Sequence, residues 1–519
     1  MPGESQAAGA LAQPINFGWT DKVAPRIGAA WDVFQNGKMK VFGSYGAFYD
    51  IMKLNLAISS FGGQYWQFCF YALDTPNLSA INPAYNAAGR DCVGPSASSQ
   101  ANFAGGSTPA GLTFLENQNF RTFPTTCSTC SASQEGVAPG LEPYKQHESV
   151  FGVDYQLSKN LSFEARWDRR RLDHVIEDSA IASAGGSETF VIVNPGQGVN
   201  RTFSSFYDFL YPTAPLNCAT GPCPPNNTIP AARSYDGLEF RLNKAHSDHW
   251  FGMFSYTYSH LRGNYTGLTS SDIADGLFGG RNSPNNSRSF DEPYFSWNDN
   301  GGSSSGLLPT DRPNTFKGYA YYELGFKQKF TTDLGIFQYL YQGSPTTSFA
   351  DIGYNIPGGD FAPVDVVNRG NFVNVAQDPT TGAITIGAPH VFRTPWYMQS
   401  DFNLQQNYKL SEQKVLSFSA TFANLFNQHS VTAYNALMDS TFTPGFGSLN
   451  GTGCPAGGCI LFNGPAWYTA AMSPYNLTSV LSHTLSNPTG GPITINSQYA
   501  TPLFYQLART IRLQAKFTF

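Results

Sequence analysis

Residues Thr510 to Phe519 read TIRLQAKFTF. Ile511, Leu513, Ala515, Phe517 and Phe519 are apolar, and Thr510, Arg512, Gln514, Lys516 and Thr518 between them are polar. This strict period of two predicts a half-apolar β-strand, because a helix would scatter those charges around its cylinder. The pattern recurs upstream. Leu161, Phe163, Ala165 and Trp167 alternate with Ser162, Glu164, Arg166 and Asp168, and Leu416, Phe418, Ala420 and Phe422 with Ser417, Ser419 and Thr421. Leu238, Phe240 and Leu242 flank Glu239 and Arg241. Phe151, Val153, Tyr155 and Leu157 flank Asp154 and Gln156, and Phe254, Tyr256 and Tyr258 flank Ser255 and Thr257. Weaker alternation near 23–33, 38–50, 315–324, 332–342 and 396–408 brings the expectation to about eleven strands.

The connections decide what kind of β protein this is. Short turns are expected at Gln35-Asn36-Gly37, Ser158-Lys159-Asn160, Lys244 to Asp248, Gly325 to Lys329 and Ser411-Glu412-Gln413. Between them lie long, structureless connections rich in Gly, Pro, Ser and Asn, roughly 52–143, 178–231, 264–310, 343–394 and 429–502. Short and long connections alternate along the chain, so a meander places all turns at one end and all long loops at the other. The fold class expected is all-β: a transmembrane antiparallel up-and-down outer-membrane β-barrel wall with long extracellular loops. Composition agrees. Charged residues are 13% of the 519 residues and aromatics 15%, too few charges to cover an ordinary soluble surface. Tyr45, Tyr49, Trp167, Trp250, Tyr256, Tyr258, Tyr319, Tyr321, Tyr322, Trp396 and Tyr397 cluster near strand ends, as rings at headgroup level do.

Several functions are disfavoured. The net charge is −5, and the one basic run, Arg169-Arg170-Arg171, is flanked by Asp168 and Asp173 and read as a solvated strand end rather than a nucleic-acid site. No apolar run reaches the length of a transmembrane helix, and Met1-Pro2-Gly3-Glu4-Ser5 lacks a basic start and an apolar signal region. Gly302-Ser303-Ser304-Ser305-Gly306 formally matches GxSxG, but sits in a Ser/Gly-rich loop without the strand and helix that a nucleophile elbow needs. The His residues form no HExxH, and Asp351 to Asp360 lacks Ca-loop spacing. No catalytic residue, metal or cofactor is expected. The eight cysteines pair as Cys127/Cys130, Cys218/Cys223, Cys454/Cys459 and, more loosely, Cys69/Cys92. Without a second matching CxxC or His at ligand spacing, they are candidate disulfides on the long-loop side.

The terminal strand, Leu507 through Phe519, resembles the C-terminal assembly signal of bacterial outer-membrane proteins, with Ile511, Leu513, Phe517 and Phe519 as its apolar positions. Five further stretches resemble, in order, the last barrel strands of TonB-dependent receptors of the Oar-like kind, which carry a carboxypeptidase-regulatory-like domain at the front. These are Ala24-Pro25-Arg26-Ile27-Gly28, Gly43-Ser44-Tyr45-Gly46-Ala47-Phe48-Tyr49-Asp50, Thr310-Asp311-Arg312-Pro313-Asn314, Tyr341-Gln342-Gly343-Ser344-Pro345 and Ala423-Asn424-Leu425-Phe426-Asn427. The resemblance implies an integral protein of the bacterial outer membrane. It implies import of a small ligand driven through TonB and a plug domain, and partners in outer-membrane lipid and the barrel-assembly machinery. The family's barrel has about 22 strands. Residues 1–519 are therefore expected to be the C-terminal portion of the wall, with plug, TonB-contacting segment and signal peptide not recognisable within them. An odd, eleven-strand meander also cannot close with its first and last strands antiparallel.

Alternation assigns faces, apolar to lipid and polar to lumen. Arg26, Asp32, Asp154, Glu164, Arg166, Glu239, Arg241, Arg512 and Lys516 are the lumen candidates. They either hold a plug by charged hydrogen bonds or solvate a water-filled interior. Aromatic runs such as Phe61 to Tyr71 and Trp467-Tyr468 either stack on a planar ligand or pack the loops together. The alternatives to a receptor are a passive porin-like channel and a structural or adhesive surface protein.

Overall fold

The computed structural model describes residues 17–50, 67–75, 77, 93–94, 104–105, 112–119, 136–137, 140–182, 188–195, 230–267, 305–326, 329–351, 363–365, 367–438 and 495–519. Eleven long strands form one sheet: β1 (Arg26–Asp32), β2 (Met39–Tyr49), β3 (Lys145–Ser158), β4 (Leu161–His174), β5 (Arg233–Ser247), β6 (Trp250–Gly263), β7 (Asn314–Phe326), β8 (Phe330–Tyr341), β9 (Tyr397–Lys409), β10 (Val415–Ala423) and β11 (Thr510–Thr518). Spatial order equals chain order, and every neighbour is antiparallel. A two-residue strand, Gly306–Leu307, extends the far end of β6. The expected eleven-strand meander is therefore observed.

Turn chemistry explains the registers. Between β1 and β2, Gln35 and Gly37 take positive φ (54° and 72°), and the Asp32 carboxylate accepts the Gly37 amide at 2.7 Å. Asp32 stays on the charged face, in one row with Lys40 and Asp154, and its carboxylate also serves the turn. β5 runs on to Ser247, which pairs with Trp250, and Asp248 and His249 both adopt left-handed φ (54° and 68°). That is the two-residue turn whose twist matches a hairpin, and it puts the tip at the C-terminal end of the stretch expected from Lys244 to Asp248. Asp tolerates this conformation better than most residues, so no glycine advertises it.

Registers carry the alternation across the sheet. Phe151, Trp167, Leu238 and Tyr258 share a row, and so do Tyr155, Phe163, Leu242 and Phe254. On β9–β11 the same face carries Leu404, Phe418, Ile511, Leu513 and Phe517. Many of these large side chains stand open, with Phe254 50%, Phe418 54% and Leu513 81% exposed. The opposite face carries Asp154, Glu164, Arg166, Glu239 and Arg241. A sheet with its apolar side outward is inverted relative to a soluble sandwich and suits lipid.

The buried apolar clusters accordingly lie beyond the strand ends on the long-connection side. Val367, Val373 and Met438 pack with Ile386 and Ile495. Phe349, Phe372 and Ala436 pack with Phe392 and Tyr499, and Leu141, Ile176 and Ile192 with Phe17. The expectation of structureless connections fails here. Residues 343–394 fold small antiparallel pairs: Phe349–Asp351 with Pro363–Asp365, Asn371–Phe372 with His390–Val391, and Val375–Gln377 with Ile384–Ile386. Val431–Tyr434 pairs likewise with Pro502–Tyr505. Short β-branched and aromatic runs inside a Gly/Pro-rich context form these hairpins, which alternation over longer windows does not detect.

Candidate functional site

Four of the expected lumen residues meet. Across the β4–β5 pair, Glu239 faces Arg166 and Arg241 faces Glu164. Arg166 donates to Glu239 at 2.7 Å, Arg241 donates to the other Glu239 oxygen at 2.8 Å, and Arg241 reaches Glu164 at 3.4 Å. The pattern continues along the same face, with Lys40 on Asp154 at 2.5 Å and Arg170 bridging Glu148 (2.8 Å) and Asp168 (2.7 Å). Charges of opposite sign alternate, so the face nearly neutralises itself. Arg166 keeps a third of its side chain open, and a half-wet pair of this kind exchanges partners at little cost. The remaining candidates stand apart. Arg26 lies 4.4 Å over the Phe48 ring, and Arg512 and Lys516 stand on exposed β11 opposite Thr421 and Ser417.

The same face becomes aromatic further along the sheet, which alternation did not reveal. Phe251 stacks on Tyr321 at 4.8 Å, Tyr319 on Phe337 at 6.1 Å and Tyr341 on Tyr397 at 5.8 Å, and Tyr339 lies tilted against Phe337 at 4.3 Å. Beside these rings β9 presents a polar column. Tyr397 donates to Gln399, Gln399 to Asp401 at 2.9 Å, and Asn407 to Asp333 at 2.7 Å. Tyr319, Tyr321 and Tyr397 were expected at headgroup level, but their registers turn them to the charged face, whereas Trp167, Tyr256, Tyr258, Trp250 and Tyr322 lie on the apolar one. Rings on both faces of β7 and β8 are why alternation there is weak.

The motifs shared with receptors act as pins at the long-connection end. Asp311 is fully buried, accepts the Leu261 amide at 2.6 Å and pairs with Arg393 at 2.5 Å. Arg393 also donates to the carbonyl of Gly343 at 3.0 Å. A Cβ on Gly343 would stand 1.6 Å from the Thr394 carbonyl oxygen, so the approach requires glycine. Asn424, at φ 55°, donates its amide to Asp401 (2.8 Å) and its side chain to the carbonyls of Gln428 and Leu507, and Asn427 accepts the Arg509 amide at 2.9 Å. These contacts tie β9, β10 and β11 together at the loop end.

Cys92, Cys127, Cys130, Cys218, Cys223, Cys454 and Cys459 lie outside the described residues, and of Cys69 only the backbone is described, within Gln67–Leu73. Phe61 to Trp66, Trp467, Tyr468 and the GxSxG stretch through Ser304 also lie outside them. Among the described residues no group of three His, Cys, Asp or Glu is placed to hold a metal, and no helix is long and apolar enough to cross a membrane.

Comparison with known proteins supplies the context for this inverted sheet. The TonB-dependent transporter Oar of Myxococcus xanthus is 26% identical over 510 residues, covering 96% of this chain and 38% of that protein. This chain thus spans well under half the length of that relative. Among solved structures, the outer-membrane transporter YddB of Escherichia coli matches with a TM-score of 0.38 at 10% identity, over 79% of this chain and 38% of that one. The ferripyoverdine receptor of Pseudomonas aeruginosa matches at 0.31 and 11%, over 80% and 30%. These relatives are transporters and receptors, not enzymes. The family described as the outer membrane beta barrel domain matches residues 5–455. The protein belongs to that family and resides in the bacterial outer membrane.

Proposed function

We propose that this chain is the C-terminal wall of a TonB-dependent receptor that imports a small ligand across the outer membrane. Strands beyond these eleven complete the ring, and TonB acts through a plug region. The observation that carries this reading is the similarity to the Oar transporter over 96% of the chain. Its support in the structure is the self-paired charged face, whose Arg166 and Arg241, each about a third exposed, can trade partners with carboxylates of a plug. Arg26, which lies over the Phe48 ring, and Arg512 and Lys516, which have no ion-pair partner among the described residues, would add cations to the same lumen. The close cysteine pairs are proposed as disulfides that shorten the extracellular loops, and Ile511, Leu513, Phe517 and Phe519 as the strand read by the assembly machinery.

Conductance of the full-length gene product in planar bilayers tests the reading. A plugged receptor is silent, and the charge reversals Glu239→Arg and Glu164→Arg together should produce flickering openings by loosening whatever those residues hold. Steady conductance from the unaltered protein would instead make it a passive channel.

A further inference from the structure

The apolar face ends abruptly toward the loop end, and the registers show where. Phe151, Trp167, Leu238 and Tyr258 form its last apolar row. The next row outward is Ser149, Arg169, Asp236 and His260, and the one after it is His147, Arg171, Ser234 and Arg262. Pairing is regular through these rows, so Arg169, Arg171 and Arg262 point to the same side as Trp167, toward the membrane and not the lumen. Arg170, between two of them, points inward to Glu148 and Asp168. The basic run is thus split by the strand between two environments.

The charge balance of this patch is uneven. Arg169 lies 3.6 Å from Asp236. Asp173 is engaged by Lys145 at 3.0 Å and His147 at 3.2 Å, and His147 also meets the Tyr45 hydroxyl at 2.7 Å. His260 holds the Tyr258 hydroxyl at 3.1 Å and lies 3.8 Å from buried Asp311. Arg171 and Arg262 are exposed and have no ion-pair partner among the described residues. They sit on the strands either side of β5, opposite the same Ser234, about 10 Å apart at two strand spacings. These two guanidiniums, two rows beyond the aromatic row, face the depth at which lipid headgroups lie. Guanidinium is weakly hydrated and meets phosphate oxygens with two parallel hydrogen bonds, which an ammonium cannot do.

We propose that Arg171 and Arg262, supported by Arg169, form a lipid-side binding site for the phosphorylated headgroup of an outer-leaflet glycolipid. The site is independent of whatever the lumen transports. Its acyl chains would lie along the apolar rows below, over Trp167 and Leu238.

The test uses the full chain extracted in a non-ionic detergent. It is titrated with a bisphosphorylated glucosamine-disaccharide lipid, with the same lipid stripped of phosphate, and with inorganic phosphate, and bound lipid is counted by native mass spectrometry. The phosphorylated lipid should bind at least about tenfold more tightly than the stripped one, which corresponds to about 1.4 kcal/mol. The double variant Arg171→Gln/Arg262→Gln should lose that preference, while Lys38→Gln, a charge removal in the turn at the opposite rim, should keep it. Equal binding of both lipids would reduce the site to acyl contact and overturn the proposal. Displacement of the lipid by equimolar inorganic phosphate would make it a free-anion site and overturn it too. Folding of each variant is checked by heat-modifiable gel migration. Should the Gln pair not fold, the Arg171→Lys/Arg262→Lys pair decides: a reduced preference supports the bidentate site, and an unchanged one overturns it.

Discussion

Asp311 shows what a single residue does here. It has no exposed surface, and Arg393 and the Leu261 amide satisfy its charge. Removing the cation alone, Arg393→Met, leaves a buried carboxylate unanswered, at a cost of about 3–5 kcal/mol. The expected result is rapid limited proteolysis within 343–394 while the wall stays protease-resistant. An unchanged digestion pattern would show that the pin is dispensable. Asp378 offers a pH readout at the other extreme of burial. The amides of Thr381 and Thr380 donate to its carboxylate at 2.9 and 2.8 Å and hold its pKa below the ordinary aspartate value. A lowered pKa means that the turn's stabilisation is fully present above the ordinary value. It fades as pH falls through the lowered one, so the protection of the Thr380 and Thr381 amides, measured against the exchange of an unstructured peptide at the same pH, should drop only in that acidic window. Neither role was legible in the sequence. The motif around Asp311 stood out only by resemblance, and its partner Arg393 lies 82 positions away. Asp378 is one of many loop aspartates.

At the level of the strand, alternation performed well where the two faces differ chemically and poorly where they do not. β4, β5 and β11 place carboxylates, cations or amides on one side and rings or aliphatics on the other, and their registers follow the sequence pattern. β7 and β8 place Tyr319, Tyr321, Phe337, Tyr339 and Tyr341 on the polar side, so hydropathy alone leaves the faces ambiguous. The short pairs within 343–394 lie below the window in which a period of two can be counted. Face assignment itself is testable on two adjacent rows. Phe240 and Tyr256 share the apolar face, and Glu239 and Thr257 the charged one. Phe240→Arg should cost about 2–4 kcal/mol if it lies near the bilayer midplane, whereas Thr257→Arg should be close to neutral. Denaturant unfolding in lipid vesicles reads the difference, and equal costs would contradict the assignment. Between Arg166 and Glu239, both partly open, a double-mutant cycle should yield less than about 1 kcal/mol of coupling. That would mark the pair as an exchangeable contact rather than a stabilising one.

The whole molecule is a wall whose apolar surface points outward and whose packed cores sit at one end. Its fold class was readable from the rhythm of connections, because short and long spans alternate from β1 to β11. The residues that would receive a ligand were not, because the long spans follow no period and the aromatic part of the charged face emerges only when registers align β6 through β9. One prediction belongs to this scale. Deleting Phe519 removes the residue that follows the final strand and whose ring lies 5.8 Å from that of Phe517. It should lower the fraction recovered in outer membranes without altering synthesis, as measured by pulse labelling and fractionation. Full recovery would remove the terminal strand from the assembly role proposed for it.

Because each strand pairs only with its predecessor and successor in the chain, a gene encoding such a wall can lose or duplicate segments in a particular currency. An in-frame gain of one turn-linked pair lengthens the perimeter by roughly 12 Å for tilted strands and leaves every other register and every inside–outside assignment intact. Gain of a single strand reverses the direction of everything after it, sending later turns to the cell exterior and later loops to the periplasm. Variation in perimeter should therefore arrive in pairs of strands, while the intervening long spans diverge freely.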